Sequence, residues 1–165
     1  MFTRKHTPSD WGLLMYGRYY EELELGKTYN HSQGKTITEC DNNFFSLITM
    51  NHHPIHIDQN FAQQQQTGKV LTVGTYVFSL VVGQSVRDIS GKAIANLEYE
   101  SIKHIRPSFI GDTIYSKTTI LDKRVSKTKP DRGIVYVETI AYNQQEEPVL
   151  SLRRRILIPL KGYEK

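Results

Sequence analysis

The sequence predicts an α+β domain, a curved antiparallel sheet wrapped around one central apolar helix. Three observations carry this. Residues 70–86 are strongly apolar, and within them Val73, Tyr76, Val77, Leu80, Val81 and Gln84 recur at near-helical spacing. Everything after Gly91 reads as strands separated by turn signals. The 165 residues suit a single domain with a proper core.

Residues 1–18 show little periodicity and are expected to form an N-terminal arm, with one domain over residues 19–165. Gly26-Lys27 turns the chain into a strand-like segment over residues 28–36. Thr38 with Asp41 three residues on fits a helix start, a hydroxyl cap with a carboxylate at the positive end of the dipole. Phe44, Phe45, Leu47 and Ile48 give that helix an apolar face, and Pro54 ends any continuation. Asp58 can cap a short helix reaching residue 66, and Thr72 can cap the long apolar one. A helix apolar on most sides should be wrapped by other structure. Four strands are expected over residues 94–104, 113–123, 133–143 and 149–159. In the last, Leu150, Leu152, Ile156 and Ile158 face one way, and Ser151, Arg153 and Arg155 the other.

Composition excludes several classes. Hydrophobic residues are 38% and charged residues 23%, which is globular rather than disordered. The apolar stretch is interrupted by Thr72, Gly74, Thr75, Ser79, Gly83 and Gln84, which argues against a membrane span. No signal peptide is expected. One cysteine, Cys40, allows no internal disulfide and suits a reducing, cytoplasmic setting. The net charge of +4 suits an anionic ligand. No nucleic-acid motif is present, since Arg153-Arg154-Arg155 lies inside a strand pattern.

The chemistry concentrates in Asn51-His52-His53-Pro54-Ile55-His56-Ile57-Asp58. Histidine can take and give a proton near neutral pH, and a proline-stiffened loop can hold it still. A metal centre is not expected. Pro54 separates His52 from His56, and no third ligand set accompanies them. Gly74, at the start of the apolar helix, is an oxyanion candidate. Backbone N–H groups there lack helical acceptors, and glycine lets a ligand approach. Close helix–sheet packing is the competing reason for that glycine.

These motifs resemble the MaoC-like (R)-specific enoyl-CoA hydratase/dehydratase family of hotdog folds. That family's Asp-x-Asn-Pro-[apolar]-His signature corresponds to Asn51-His52-His53-Pro54-Ile55-His56. Pro54, Ile55 and His56 match; Asn51 replaces the usual aspartate and His53 the usual asparagine. Residues 74–83 resemble the start of the family's central helix, and residues 106–113 its proline and glycine-aspartate turn. The wording is nearest the mesaconyl-CoA hydratase-like branch.

The resemblance implies reversible hydration of an α,β-unsaturated acyl-CoA in a tunnel at a homodimer interface, with higher assembly open. His56 becomes the acid/base group, Asn51 the water-orienting partner and Gly74 the oxyanion donor. His53, Pro54, Ile55, Val73 and Thr75 are expected to line the substrate. No cofactor is implied, because coenzyme A belongs to the substrate. Asparagine cannot titrate. A substituting carboxylate (Asp41 or Asp58), an acyl-CoA thioesterase and a catalytically decayed acyl-CoA-binding subunit therefore stay open. Basic residues around Lys123, Arg124, Lys127, Lys129 and Arg132, and Arg153 with Arg155, are candidates for the coenzyme A phosphates.

Overall fold

A computed structural model describes residues 16–163, so the first fifteen residues of the expected arm lie outside the described residues. A 3-10 turn, Tyr20–Glu22, leads into two short strands, β1 (Thr28–Asn30) and β2 (Lys35–Thr36). The expected single strand over residues 28–36 is therefore broken, although both pieces pair with the same strand, β4 (Thr113–Val125). Helices α1 (Glu39–Ile48), α2 (Pro54–Ile57), α3 (Gln59–Gln63) and α4 (Gly74–Gln84) follow, with a π turn, Val86–Ser90, after them. Then come β3 (Ala95–His104), β4, β5 (Arg132–Tyr142) and β6 (Pro148–Pro159). All pairings are antiparallel, in the order β1-β4-β5-β6-β3. The α+β expectation holds, and the four long strands fall within two residues of their expected bounds.

Burial along β5 alternates strictly, one face against the helices and one half-exposed. On β6 the expected inward residues Leu150, Leu152, Ile156 and Ile158 are buried. Arg154 shares their face and is wholly buried, a position that the apolar pattern around it did not announce. Its guanidinium donates to Ser85 Oγ and Asn96 Oδ1, both at 2.8 Å, tying the end of α4 to the edge strand. Burial pushes its pKa down.

The core has two parts. Leu23, Tyr29, Ile89, Ile120, Val135 and Val137 pack with Ile156 and Ile158 toward the turn end of the β4–β5 hairpin. Ile37, Val77, Val81, Ile114, Ala141, Val149, Leu150 and Leu152 pack beneath α4. Only Val77 and Val81 of α4 are fully buried, one helical turn apart. Through that stripe the helix is seated on the sheet. Thr72 does not cap it: the cap residue is Val73, without a side-chain bond, and Thr72 Oγ1 is buried with no partner among the described residues.

Helix α1 starts as expected. Thr38 Oγ1 accepts from Asp41 N–H at 3.1 Å, and Asp41 Oδ2 accepts from Thr38 N–H at 2.9 Å. Its faces, however, are reversed. Asn42 and Ser46 are buried while Phe44, Leu47 and Ile48 are exposed. The physical reason is tertiary: Asn42, on the inward face, meets backbone polar groups of two other segments, which need polar partners.

Candidate active site

Pro54 stands at the first position of α2 rather than merely stopping α1, since a proline there forfeits no helical bond. His53 caps α2, its Nδ1 accepting from Ile55 N–H at 3.2 Å, so this expected substrate contact already has a structural task. The cap places His56 in the short helix, half-buried.

Segment 71–73 then staples α2 to the start of α4. Leu71 N–H donates to Ile55 O at 3.1 Å. His56 Nδ1 lies 2.8 Å from Leu71 O. A carbonyl only accepts, so Nδ1 carries the proton, and in the neutral ring Nε2 carries the lone pair. His56 Nε2 has no protein partner among the described residues. Buried Asn42 closes the staple, its Nδ2 donating to His56 O at 2.7 Å and its Oδ1 accepting from Val73 N–H at 2.9 Å.

Val73 N–H is thereby satisfied, whereas Gly74 and Thr75 N–H have no acceptor among the described residues. Both belong to the first turn of an 11-residue helix, where the dipole favours negative charge. Gly74 also has the packing reason. A Cβ there would come 2.9 Å from His104 Cε1, so the ring from β3 occupies space that only glycine leaves open.

Asn51 is placed by the end of α1. Met50, at φ 59°, ends the helix in the left-handed region. Its N–H donates to Leu47 O, and Asn51 N–H donates to Ser46 O at 3.0 Å, which is a Schellman stop. The Asn51 side chain makes no hydrogen bond among the described residues, with His56 or otherwise. Pro54 and Ile55 flank His56 in α2, and the His53 and His56 ring centroids are 6.2 Å apart. Val73 is buried, whereas Thr75 is exposed.

Both carboxylates considered as substitutes are occupied. Asp41 accepts from Lys35 Nζ at 2.7 Å as well as from Thr38; Lys35, then the Thr38 hydroxyl and N–H, hold its pKa at about 2. So strong an acid is a poor base near neutrality. Asp58 caps α3, its Oδ1 accepting from Phe61 N–H at 2.9 Å, as expected for a helix that proves to end at Gln63. Several phosphate-ligand candidates are also engaged. Lys123 Nζ donates to Tyr20 O and Leu23 O at 2.7 Å each, Arg132 pairs with Asp131, Arg153 with Glu138, and Arg155 with Glu98 and Glu100. No cluster of three or more metal-ligating side chains occurs among the described residues.

Sequence reasoning missed Asn42 and His104. Asn42 lay inside a stretch read for its apolar residues, and His104 at the end of a strand. Neither position carries a local signal, because their partners are 14 to 31 residues away for Asn42 and across the fold for His104.

This chain is similar to mesaconyl-CoA hydratase of Cereibacter sphaeroides, at 30% identity over 142 residues, 86% of this chain and 41% of the relative. It superimposes on a putative MaoC domain dehydratase of Chloroflexus aurantiacus with TM-score 0.84 and 28% identity, covering 97% of this chain and 43% of that one. A Mycobacterium tuberculosis protein described as a double hotdog fold superimposes with TM-score 0.82 at 22% identity, covering 90% of this chain and 46% of that one. The fold is therefore the hotdog, and the chain spans less than half the length of each of these three. Residues 21–143 match the MaoC-like domain, and the chain belongs to that family.

Proposed function

We propose that this chain is a hydro-lyase that reversibly adds water to the double bond of an α,β-unsaturated acyl-CoA, of enoyl-CoA or mesaconyl-CoA type. The observation that carries the reading is the tethered His56 ring. Its Nδ1–H is held by Leu71 O, Nε2 is free to accept, and the N–H groups of Gly74 and Thr75, unpaired among the described residues, follow three and four residues after that carbonyl. The named activities of the mesaconyl-CoA hydratase and of the putative dehydratase support the same class.

In this mechanism Nε2 of His56 takes a proton from water as the water oxygen bonds to Cβ. The π pair moves toward the thioester, whose oxygen becomes negative. Gly74 and Thr75 N–H hold that charge, which is greater in the enolate than in the ground state, so the contact lowers the barrier. Cα then takes the proton from the His56 imidazolium, which restores the neutral ring. The step balances with water, one histidine and substrate, and needs no redox cofactor. The Asn51 amide, able to donate and accept, orients the water. His53, Pro54, Ile55, Val73 and Thr75 bound the site around these groups.

A homodimer fits the open β3 edge, where Leu97, Tyr99 and Ile102 are exposed. No helix among the described residues is long and apolar enough to cross a membrane. A cytoplasmic setting suits exposed Cys40. The thioesterase reading is disfavoured by the engagement of Asp41 and Asp58 as caps.

The test follows the ultraviolet absorbance of crotonyl-CoA and mesaconyl-CoA, with wild type and His56→Ala side by side. Absorbance should fall without release of free thiol, and the rate should drop by about 100-fold or more in the variant. Thiol release would instead make the chain a thioesterase. Tight binding of both thioesters with no absorbance change would make it a binding subunit.

A further inference from the structure

We propose that Asn42 is a positioning residue of this site, setting His56 and the start of α4 in register; the proposal rests on the functional reading above. Asn42 is 0% exposed, and its one amide serves both halves of the site. The donor end holds His56 O at 2.7 Å, and the acceptor end holds Val73 N–H at 2.9 Å. With His56 Nδ1 on Leu71 O, the bonds form a closed ring: His56 carbonyl, Asn42, Val73, the backbone back to Leu71, and the His56 imidazole. His56 is thus held at its main chain and at its ring by the same short segment. Neither the peptide nor the ring can turn without breaking one of these hydrogen bonds.

The residue type follows from the partners. One is a carbonyl and one an N–H, so the bridge must donate at one end and accept at the other within a short reach. Among short side chains a planar amide does this with separate atoms. Aspartate keeps the acceptor and loses the donor; leucine loses both and strands two backbone groups. There is a second consequence. By taking the N–H of Val73, Asn42 anchors the residue just before the two N–H groups that remain free for the thioester oxygen. Their position relative to Nε2 of His56 is therefore set through Asn42, which itself touches no reacting atom.

The experiment uses Asn42→Ala and Asn42→Asp in the full chain, with kcat and KM for crotonyl-CoA hydration expressed per folded enzyme. The expected result is a fall in kcat of about 100-fold with KM little changed, the signature of lost alignment rather than lost binding. Nitrogen NMR of the histidine rings should report His56 as a single Nδ1–H tautomer in wild type and as a mixture in both variants. A protonated aspartic acid both donates and accepts. The kcat of Asn42→Asp relative to wild type should therefore climb as pH is lowered, while that of Asn42→Ala stays flat. Wild-type kcat in folded Asn42→Ala, with the tautomer still single, overturns the proposal. If Asn42→Ala does not fold, Asn42→Asp decides: a climbing ratio supports it, and a flat one overturns it. If wild type hydrates nothing, the functional reading fails, yet the ring-nitrogen signal still decides whether Asn42 orders His56.

Discussion

Met50 carries a side chain through a backbone conformation that L-residues avoid, at φ 59° and 82% exposed. The exposure matters, because it means that no packing compensates for the strain inside this chain. Met50→Gly is therefore expected to raise stability by about 1 kcal/mol, read as a higher denaturation midpoint. An unchanged or lower midpoint would mean that methionine has contacts here that glycine loses. Asn51 follows directly, so the strained residue aims the chain into the candidate site. The sequence named His56 and Asn51 through a motif contained within six consecutive residues. It could not name Asn42, whose importance lies in two partners that approach only after α1, α2 and α4 have packed.

Between elements, a chain of hydrogen bonds joins the segment after β1 to the sheet and to the π turn. His31 Nδ1 is 2.9 Å from Asp88 Oδ2, its Nε2 is 2.7 Å from Thr118 Oγ1, and that oxygen is 2.8 Å from Thr139 Oγ1. The ring thereby connects β4 to the turn that follows α4. His31→Ala should cost about 2 kcal/mol, because it removes both hydrogen bonds of a buried ring. Urea denaturation should show a lower midpoint at constant slope, and an unshifted midpoint would reduce the network to incidental contacts. Strand assignments were legible in the sequence because alternation and turn residues act locally. The burial of Arg154 was not, since the alternation assigns position 154 to a face, and neighbours distant in sequence, among them Ser85, Ser90 and Asn96, make a cation tolerable there.

At the scale of the molecule, β3, with Leu97, Tyr99 and Ile102, and the outer face of α1, with Phe44, Leu47 and Ile48, are apolar surfaces exposed among the described residues. An edge strand with exposed apolar side chains invites pairing. Wild type should sediment as a dimer and Tyr99→Lys/Ile102→Lys as a monomer, because two lysines on the edge desolvate poorly. A monomeric wild type would remove β3 as a pairing edge. The sequence by itself determined the α+β class, the four long strands and the cap of α1, all of which depend on residues within a few positions of one another. Tertiary structure alone decided that α1 turns its polar face inward, that Thr72 does not cap α4, and that Asn42 joins His56 to Val73. Each of those outcomes depends on which distant backbone groups need a hydrogen-bond partner once water is excluded, a demand that exists only in the assembled fold.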